Sequence, residues 1–437
     1  MRKVLNMKKF MFAKQAILLV FVLSNGCGYC EAKDISSEKK ISAAKDWTLS
    51  ELVEALKENN PQLRSAIHTA KAVELGVLPA QTFDNPTLNV TQDPLKNGPL
   101  NVNSSTGMTW GLSQNFPWPG KKRLAGEIVQ AQADSTKEQV NQLKTQLIGQ
   151  LKNTWINWQQ TSAQIVITQS QVQRLEQIKE ITKIRYANNA AAFSDYVNAQ
   201  VAQSQLQTDL LGLERQQKVA ADQIAMLVGE PDSLKLKTAV PTIGQATAKL
   251  DQLETLALEV NPQVKSSQFN VDSARKNVEL AELGKLPDFS VGVMAHSASP
   301  PWGFRSSESY GMNFGMTFPL YYGQKEKNLV DQAKAYLTSA RETDESLRQQ
   351  VVFGVRSAFH QWMQSLDQIK LIEERVIKQA QIGYRLTLAN YSSGQTSYSD
   401  LLNAFNTLKS TEITREQVRS LAIQGKVALD VAVGEIE

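Results

Sequence analysis

Few side chains in this sequence could carry out chemistry. The chain has three histidines, His68, His296 and His360, and none belongs to a set of His, Cys, Asp or Glu residues at metal-ligand spacing. The sequence also lacks the GxxxxGK(S/T) loop that cradles phosphate groups. We therefore predict no catalytic residue, no cofactor-binding residue and no metal site, which argues against an enzyme.

Two acidic side chains do occupy equivalent places in a repeated sequence. Asp195 lies in YANNAAAFSDYVNA, which begins at residue 186, and Asp400 lies in YSSGQTSYSDLLNA, which begins at residue 391. Each acid could simply stabilise the start of a helix, next to a capping serine at Ser194 or Ser399. If several copies of the chain brought their Asp400 side chains together, these carboxylates would instead attract cations. The sequence alone leaves both roles open.

Residues 1–32 are typical of a secretory signal peptide. Five basic residues precede an apolar run at residues 16–23, and small residues follow it. Cleavage near residue 26 would make Cys27 a candidate for lipidation, whereas a competing ordinary cleavage site follows Ala32. Removal of the five basic residues takes the formal net charge from +4 to −1, so the basic balance does not indicate nucleic-acid binding.

The elements that must position the acidic residues come in two copies. NPQL at residue 60 recurs as NPQV at residue 261, ELGVLP at residue 74 recurs as ELGKLP at residue 282, and VGE at residue 228 recurs at residue 433. This period is far longer than that of a solenoid repeat, so we interpret the chain as a duplicated domain. We place the first repeat at residues 46–247 and the second at residues 248–437.

Each repeat is predicted to end in a long helical hairpin. No proline lies between Pro119 and Pro231 or after Pro319. These stretches are rich in good helix formers, and their apolar residues recur three and four positions apart. We therefore predict helix hairpins at residues 121–228 and 324–433.

The helix lengths predict an elongated molecule. The first helix of each hairpin has about 65 residues and is about 100 Å long, whereas the returning helix has about 35 residues. A short helix earlier in each repeat, near residues 48–75 and 250–283, supplies about the missing length. We therefore expect a helical bundle or tube rather than one globular core.

A period-two pattern lies between the short and long helices. From Met108 to Phe116, and again near residues 310–318, large apolar residues alternate with glycine and small polar residues. This alternation predicts strands. A second strand before each one gives β-hairpins at residues 86–117 and 288–319, and so four strands per chain.

The usual explanation for such strands is a half-buried sheet in a water-soluble domain. Three features favour a membrane instead: export, strands of about ten residues, and a face of aromatic residues opposite a face of small polar residues such as Asn89. Four strands cannot close a barrel. A chain whose strands span a membrane must therefore be an oligomer.

The runs SQNFPWPGKKR at residue 113 and YGMNFGMTFPLYYGQK at residue 310 carry a family resemblance. The chain resembles the TolC-like outer-membrane efflux family, and the first run is most similar to its heavy-metal, cobalt-zinc-cadmium type branch. The resemblance implies a mainly α-helical homotrimer whose strands close one twelve-stranded β-barrel in the outer membrane of a Gram-negative cell. Its helical hairpins would form a periplasmic helical barrel. Such a protein is a passive exit duct that works with a periplasmic adaptor and an inner-membrane pump of RND type.

The same resemblance implies roles for residues at the hairpin turns. Asp400 falls on the first acidic position of the family's gating turn, but Asn403 replaces the second acid, which puts a double ring of carboxylates in doubt. We also take Asp195 as a gate candidate. The positions where adaptor helices would dock are Gly394, Ser397 and Ala191.

Other functions fit the sequence as well. Within the channel class, multidrug efflux and type I protein secretion are alternatives to heavy-metal efflux, because the sequence does not identify the cargo. A soluble periplasmic coiled-coil scaffold is an alternative of another class. It would leave the aromatic faces of the strands unexplained.

Overall fold

The computed structural model describes residues 46–92, 107–230, 234–237, 249–297 and 308–435. The predicted signal peptide and Cys27 lie outside these residues. No helix in the described ranges is both long enough and apolar enough to cross a membrane.

Long helices dominate both halves of the described chain. The first half contains α1 (Leu49–Asn59), α2 (Pro61–Leu75), α3 (Val77–Gln81), α4 (Lys121–Ala187) and α5 (Phe193–Val228). The second half contains α6 (Leu250–Val260), α7 (Pro262–Leu283), α8 (Glu326–Leu371), α9 (Ile377–Ser392) and α10 (Tyr398–Val433). The predicted long helical hairpins are therefore confirmed, with α4 and α5 forming one and α8 to α10 forming the other.

The predicted strands form one antiparallel sheet. Its strands are β2 (Thr87–Gln92), β3 (Met108–Phe116), β5 (Phe289–Ser297) and β6 (Glu308–Met316), in the order β2-β3-β5-β6. A further parallel pair, β1 (Asp46–Trp47) with β4 (Lys235–Leu236), was not predicted because strands of two residues carry no periodic pattern.

The register of the sheet places the apolar residues on one face. Trp110 lies opposite Ala295, and Ala295 lies opposite Tyr310, while Leu112 and Val293 are paired in the same way. Cross-strand partners share a face, so the other face carries mainly glycine and polar residues. Large side chains on the apolar face are exposed, with Tyr310 at 77% and Phe314 at 74% of their full accessibility.

Each predicted short helix is interrupted, contrary to the prediction of one continuous helix. Asn60 separates α1 from α2, and Asn261 separates α6 from α7. Both asparagines adopt extended backbone and cap the next helix, whose first residue is a proline. Proline suits a first helical position but restricts the residue before it to extended backbone, so the break is local.

The second long helix also departs from a continuous α-helix. A π-turn at Ile372–Val376 lies between α8 and α9, whereas α4 has no such turn. The stretch from Gly323 to Tyr391 is two residues longer than the equivalent stretch from Gly120 to Tyr186. A π-turn accommodates extra residues within a helix, which accounts for part of this difference.

The repeated NPQ and VGE motifs meet in space. Asn60 Nδ2 donates to Leu227 O at 2.7 Å, and its Oδ1 accepts from the Leu63 amide at 2.9 Å. In the second half, Asn261 Nδ2 donates to Ala432 O at 2.9 Å, and its Oδ1 accepts from the Gln263 amide at 2.9 Å. Each asparagine therefore joins the start of one helix to the last turn of a helix far away in sequence.

The glycines of the VGE motifs complete these junctions. Gly229 and Gly434 have φ values of 77° and 95°, the left-handed region in which glycine ends a helix without strain. A Cβ at Gly229 would lie 2.8 Å from Asn59 O, and one at Gly434 would lie 2.8 Å from Asn261 Cα. Both positions thus require glycine for conformation and for space.

Replacement of either junction asparagine should destabilise the protein. We expect Asn60→Ala and Asn261→Ala each to cost about 1–3 kcal/mol, because a helix cap is lost and a carbonyl loses its donor. Thermal unfolding of the purified protein, followed by its helical circular dichroism, measures the effect. The exposed Asn198 of α5 is a matched control, and an Asn198→Ala midpoint as low as those of the junction variants would contradict the prediction.

Candidate functional site

The candidate site lies at the two hairpin turns, which connect α4 to α5 and α9 to α10. Asn189 in the first turn has a φ of 55°, and Gly394 in the second has a φ of 86°. These left-handed residues end the helices because asparagine and glycine tolerate this conformation best. The first turn spans residues 188–192, and the second spans residues 393–397.

Arg185 ties the two turns together. Its guanidinium donates to the carbonyl oxygen of Tyr391 and, at 2.9 Å, to that of Ala190. The guanidinium also lies 4.4 Å from the centre of the Tyr391 ring, a cation–π distance. A single side chain of the first hairpin thereby satisfies one carbonyl in the first turn and one at the end of α9, just before the second turn.

Aromatic residues pack beneath this arginine. The rings of Tyr391 and Tyr398 are 6.2 Å apart, edge to face, and Tyr391 Oη donates to Thr182 Oγ1 at 3.3 Å. Burial raises the pKa of Tyr398 to about 12, and the charges of Tyr391 and Asp195 act in the same direction. Tyr398 therefore stays neutral and serves as packing beneath the turns.

A partly buried ion pair joins the two hairpins farther from the turns. Arg174 of α4 donates to both carboxylate oxygens of Glu412 on α10 at 3.0 Å, and Gln171 Nε2 adds a contact at 3.3 Å. Glu412 is only 7% exposed. Loss of Arg174 would leave the Glu412 carboxylate buried without compensation, so this pair helps to fix how α4 and α10 face each other.

Asp400 takes part in capping α10, but with a different serine from the one predicted. Its Oδ2 accepts from the Ser397 amide at 3.2 Å and from Ser397 Oγ at 2.7 Å, and its own amide donates to Ser397 Oγ at 3.2 Å. This reciprocal pair is a capping box. The prediction that Ser399 is the cap was wrong, because α10 begins at Tyr398 and places Ser399 inside the first turn.

The prediction for Ser194 was wrong for the same reason. Helix α5 begins at Phe193, its cap position is Ala192, and no side chain makes a capping bond there. Asp195 still lies in the first turn, where an acid is favoured by the helix dipole. The two turns therefore differ, since only the second is closed by a side-chain cap.

The remaining predicted positions all lie at or beside the turns. Asn403 is exposed one turn after Asp400, so the two side chains share a face of α10. Ala191 lies in the first turn, partly exposed, and Gly394 lies exposed in the second. The described residues contain no group of three or more His, Cys, Asp or Glu side chains that could hold a metal ion.

The chain matches a known protein family over most of its length. The family model described as outer membrane efflux protein matches residues 52–230 and 253–435, which is most of both halves. The outer membrane protein TolC of Vibrio cholerae is 21% identical over 407 residues, which cover 89% of this chain and 91% of TolC.

Solved structures share the fold. The outer-membrane channel OprN superimposes with a TM-score of 0.78 at 17% identity and covers 89% of this chain and 90% of OprN. CusC, which forms a transmembrane channel, superimposes with a TM-score of 0.77 at 17% identity. The match covers 90% of this chain and 93% of CusC. The mainly helical fold with a four-stranded sheet is therefore that of outer-membrane channels.

Removal of the Arg185 side chain should loosen both turns. We expect Arg185→Met to speed amide hydrogen exchange at residues 188–192 and 393–397 by about fivefold or more, because the carbonyls of both turns lose a charged donor. Exchange followed by mass spectrometry measures this. Lys183, which forms an ion pair with Glu180 on its own helix, provides the control Lys183→Met. Equal exchange in both variants would contradict a clamping role for Arg185.

Proposed function

Because this chain belongs to the outer membrane efflux protein family, we propose that it is a trimeric exit duct for heavy-metal cations whose hairpin turns form the periplasmic gate. Proteins of this family are outer-membrane channels of tripartite efflux systems, with a part that extends into the periplasm. They are transport ducts and not enzymes. The soluble scaffold considered from the sequence is therefore not supported.

The two faces of the sheet are the observation that carries the duct proposal. Exposed residues such as Leu88, Tyr310 and Phe314 form one apolar face, and glycine and polar residues form the other. This is the pattern of a barrel strand with lipid on one side and water on the other. In the trimer, β2 of one copy would pair with β6 of the next, giving twelve strands.

The helices give independent support for the trimer. Helix α7 packs against both long helices, α4 and α8, whereas its equivalent α2 packs against α4 in the described chain. Exposed apolar side chains remain on α2, with Leu75 at 64% and Ile67 at 46% exposure. A neighbouring copy that presents α8 to this surface would give α2 the surroundings of α7.

The gate is assigned to exposed polar residues at the turns. Asp400 is held in the first turn of α10 by Ser397, and Asn403 continues the same face. Copies of Asp400 near the trimer axis would form a ring of negative charge that attracts cations. Asp195 would contribute from the other hairpin.

The partners follow from the tripartite arrangement. A periplasmic adaptor would dock at the turns, near Ala191, Gly394 and Ser397, and an inner-membrane pump of RND type would supply the energy. Outer-membrane lipid would cover the apolar face of the sheet.

The cargo is proposed from the run of residues 113–123, which most resembles the heavy-metal branch. Multidrug efflux and type I secretion remain the competing cargo classes, and growth tests separate them. We expect a strain that lacks this channel to become sensitive to one or more divalent or monovalent heavy-metal ions, with complementation by the intact gene. Sensitivity to organic toxicants alone, or loss of protein export alone, would contradict the metal assignment.

Neutralisation of Asp400 tests the gate. We expect Asp400→Asn to lower the cation selectivity of the channel by about twofold or more, because the ring loses its charge while the amide can still cap the helix. Reversal potentials across a planar bilayer with a salt gradient measure the selectivity. Ser397→Ala is the matched control, since it removes the cap and keeps the charge. The gate assignment fails if Asp400→Asn leaves the reversal potential unchanged.

A further inference from the structure

The long helices beside the turns lie in the order α5, α4, α10, α9. Helix α4 packs against α5 and α10, and α10 packs in turn against α9. A buried apolar cluster joins the middle two helices and contains Leu175 and Ile178 of α4 together with Leu401 and Leu408 of α10. Helices α5 and α9 therefore lie at the two ends of the row, and each keeps an outer face.

The sequence repeat relates these two outer faces to the buried contact between α4 and α10. Residues 171–187 of the first half align without a gap with residues 376–392 of the second. Residues 193–207 align in the same way with residues 398–412, and in both cases the aligned positions are 205 apart. Helix α9 is thus the equivalent of the end of α4, and α5 is the equivalent of the start of α10.

The starts of α5 and α10 have the same local packing but different exposure. The rings of Tyr186 and Phe193 are 5.3 Å apart, and the rings of their equivalents, Tyr391 and Tyr398, are 6.2 Å apart. Tyr398 is only 7% exposed because it belongs to the buried cluster, whereas Phe193 is 56% exposed. Helix α5 therefore leaves uncovered the surface that α10 buries against α4.

Helix α9 shows the same contrast with α4. Gln171 and Ile178 of α4 are buried, whereas their equivalents are exposed, namely Val376 just before α9 and Gly383 within it. Leu386, one turn farther along the same side, is exposed as well. The surface that α4 buries against α10 is therefore uncovered on α9.

Both uncovered surfaces consist of apolar and neutral polar residues. The α9 face contains Val376, Gln379, Gly383, Leu386 and Asn390, and the α5 face contains Phe193, Tyr196, Gln200 and Gln207. Helical periodicity places the charged residues Lys378, Arg385 and Asp209 on other sides of these helices. Because the centres of protein interfaces are depleted of charged residues, the two faces match each other in charge.

We propose that the α9 face of one copy packs against the α5 face of the next copy. This contact would repeat between chains the contact that α4 and α10 make within a chain. In a three-fold ring, the row of helices then continues from α9 into the α5 of the neighbour, and every long helix lies between two others. The inference rests on the proposed function, because it identifies the surfaces through which the proposed trimer assembles.

The contact between copies differs from the contact within a chain at one place. Arg174 and Glu412 form the ion pair between α4 and α10. Their equivalents are Gln379 on α9 and Gln207 on α5, both exposed in the chain. By the same equivalence, these two glutamines face each other between neighbouring copies. The contact between copies is therefore neutral where the contact within a chain is charged.

Charges introduced at this pair test the contact. We expect trimers of Gln379→Arg/Gln207→Glu to dissociate on heating at a temperature about 5 °C or more above that of Gln379→Arg/Gln207→Arg. Opposite charges attract across the contact, whereas like charges repel each other there. The mobility of the heated protein on a gel that contains SDS measures dissociation. Circular dichroism of the helices in mild detergent establishes that each variant is folded.

Gln205 provides the matched control, because it is exposed on the opposite side of α5. Combined with Gln379→Arg, the variants Gln205→Glu and Gln205→Arg should dissociate at closely similar temperatures. The proposed contact is overturned if the two Gln207 variants also dissociate at the same temperature while the protein remains a trimer, and the proposed duct then stands. Light scattering that finds a monomer in mild detergent would instead refute the trimer itself, and the contact with it.

Discussion

One asparagine side chain in each half of this molecule joins the short helices to the returning helix. Asn60 and Asn261 each cap one helix and donate to a carbonyl in the last turn of a returning helix, across 167 and 171 residues of sequence. The left-handed glycines that follow those helices make room for the contact. Because these junctions fix where each hairpin returns, they also fix where the short helices stack beside α4 and α8. The sheet at one end and the turns at the other depend on that alignment.

The two duplicated halves differ in the packing of their short helices and in their hairpin turns. Helix α7 lies between α4 and α8, whereas its counterpart α2 keeps an exposed apolar surface that fits a neighbouring copy. The second hairpin carries the π-turn and the capping box of Ser397 with Asp400, and the first hairpin has neither. A duct built from near-equivalent units can therefore still have distinct inner and outer hairpins. We connect the gate with these differences, since identical walls offer no preferred way to close.

Most helices and strands could be predicted from the sequence, and the wrongly predicted helix breaks and caps have local causes. The strands and helices were predicted from the spacing of their apolar residues, which recur every two positions in strands and every three to four in helices. The breaks at Asn60 and Asn261 were missed, although the following proline signals them. The predicted caps at Ser194 and Ser399 were wrong. A helix cap is the residue with extended backbone just before the first helical residue, and the sequence does not show which of several residues near a turn has that backbone. Asp400 was identified from the repeat, whereas Arg185 was missed because its partner Tyr391 lies in the other hairpin.

The sequence by itself determined the type of each long element, the duplication and the two-faced character of the strands. These are local properties, since side-chain periodicity depends only on the geometry of a helix or strand. Only the tertiary structure decided which distant groups meet, such as Arg185 with Tyr391 beside the second turn and Arg174 with Glu412. Such contacts depend on the path of the whole chain and on strand register. A shift of one residue in that register would move the apolar residues of β5, such as Val293, to the opposite face of the sheet.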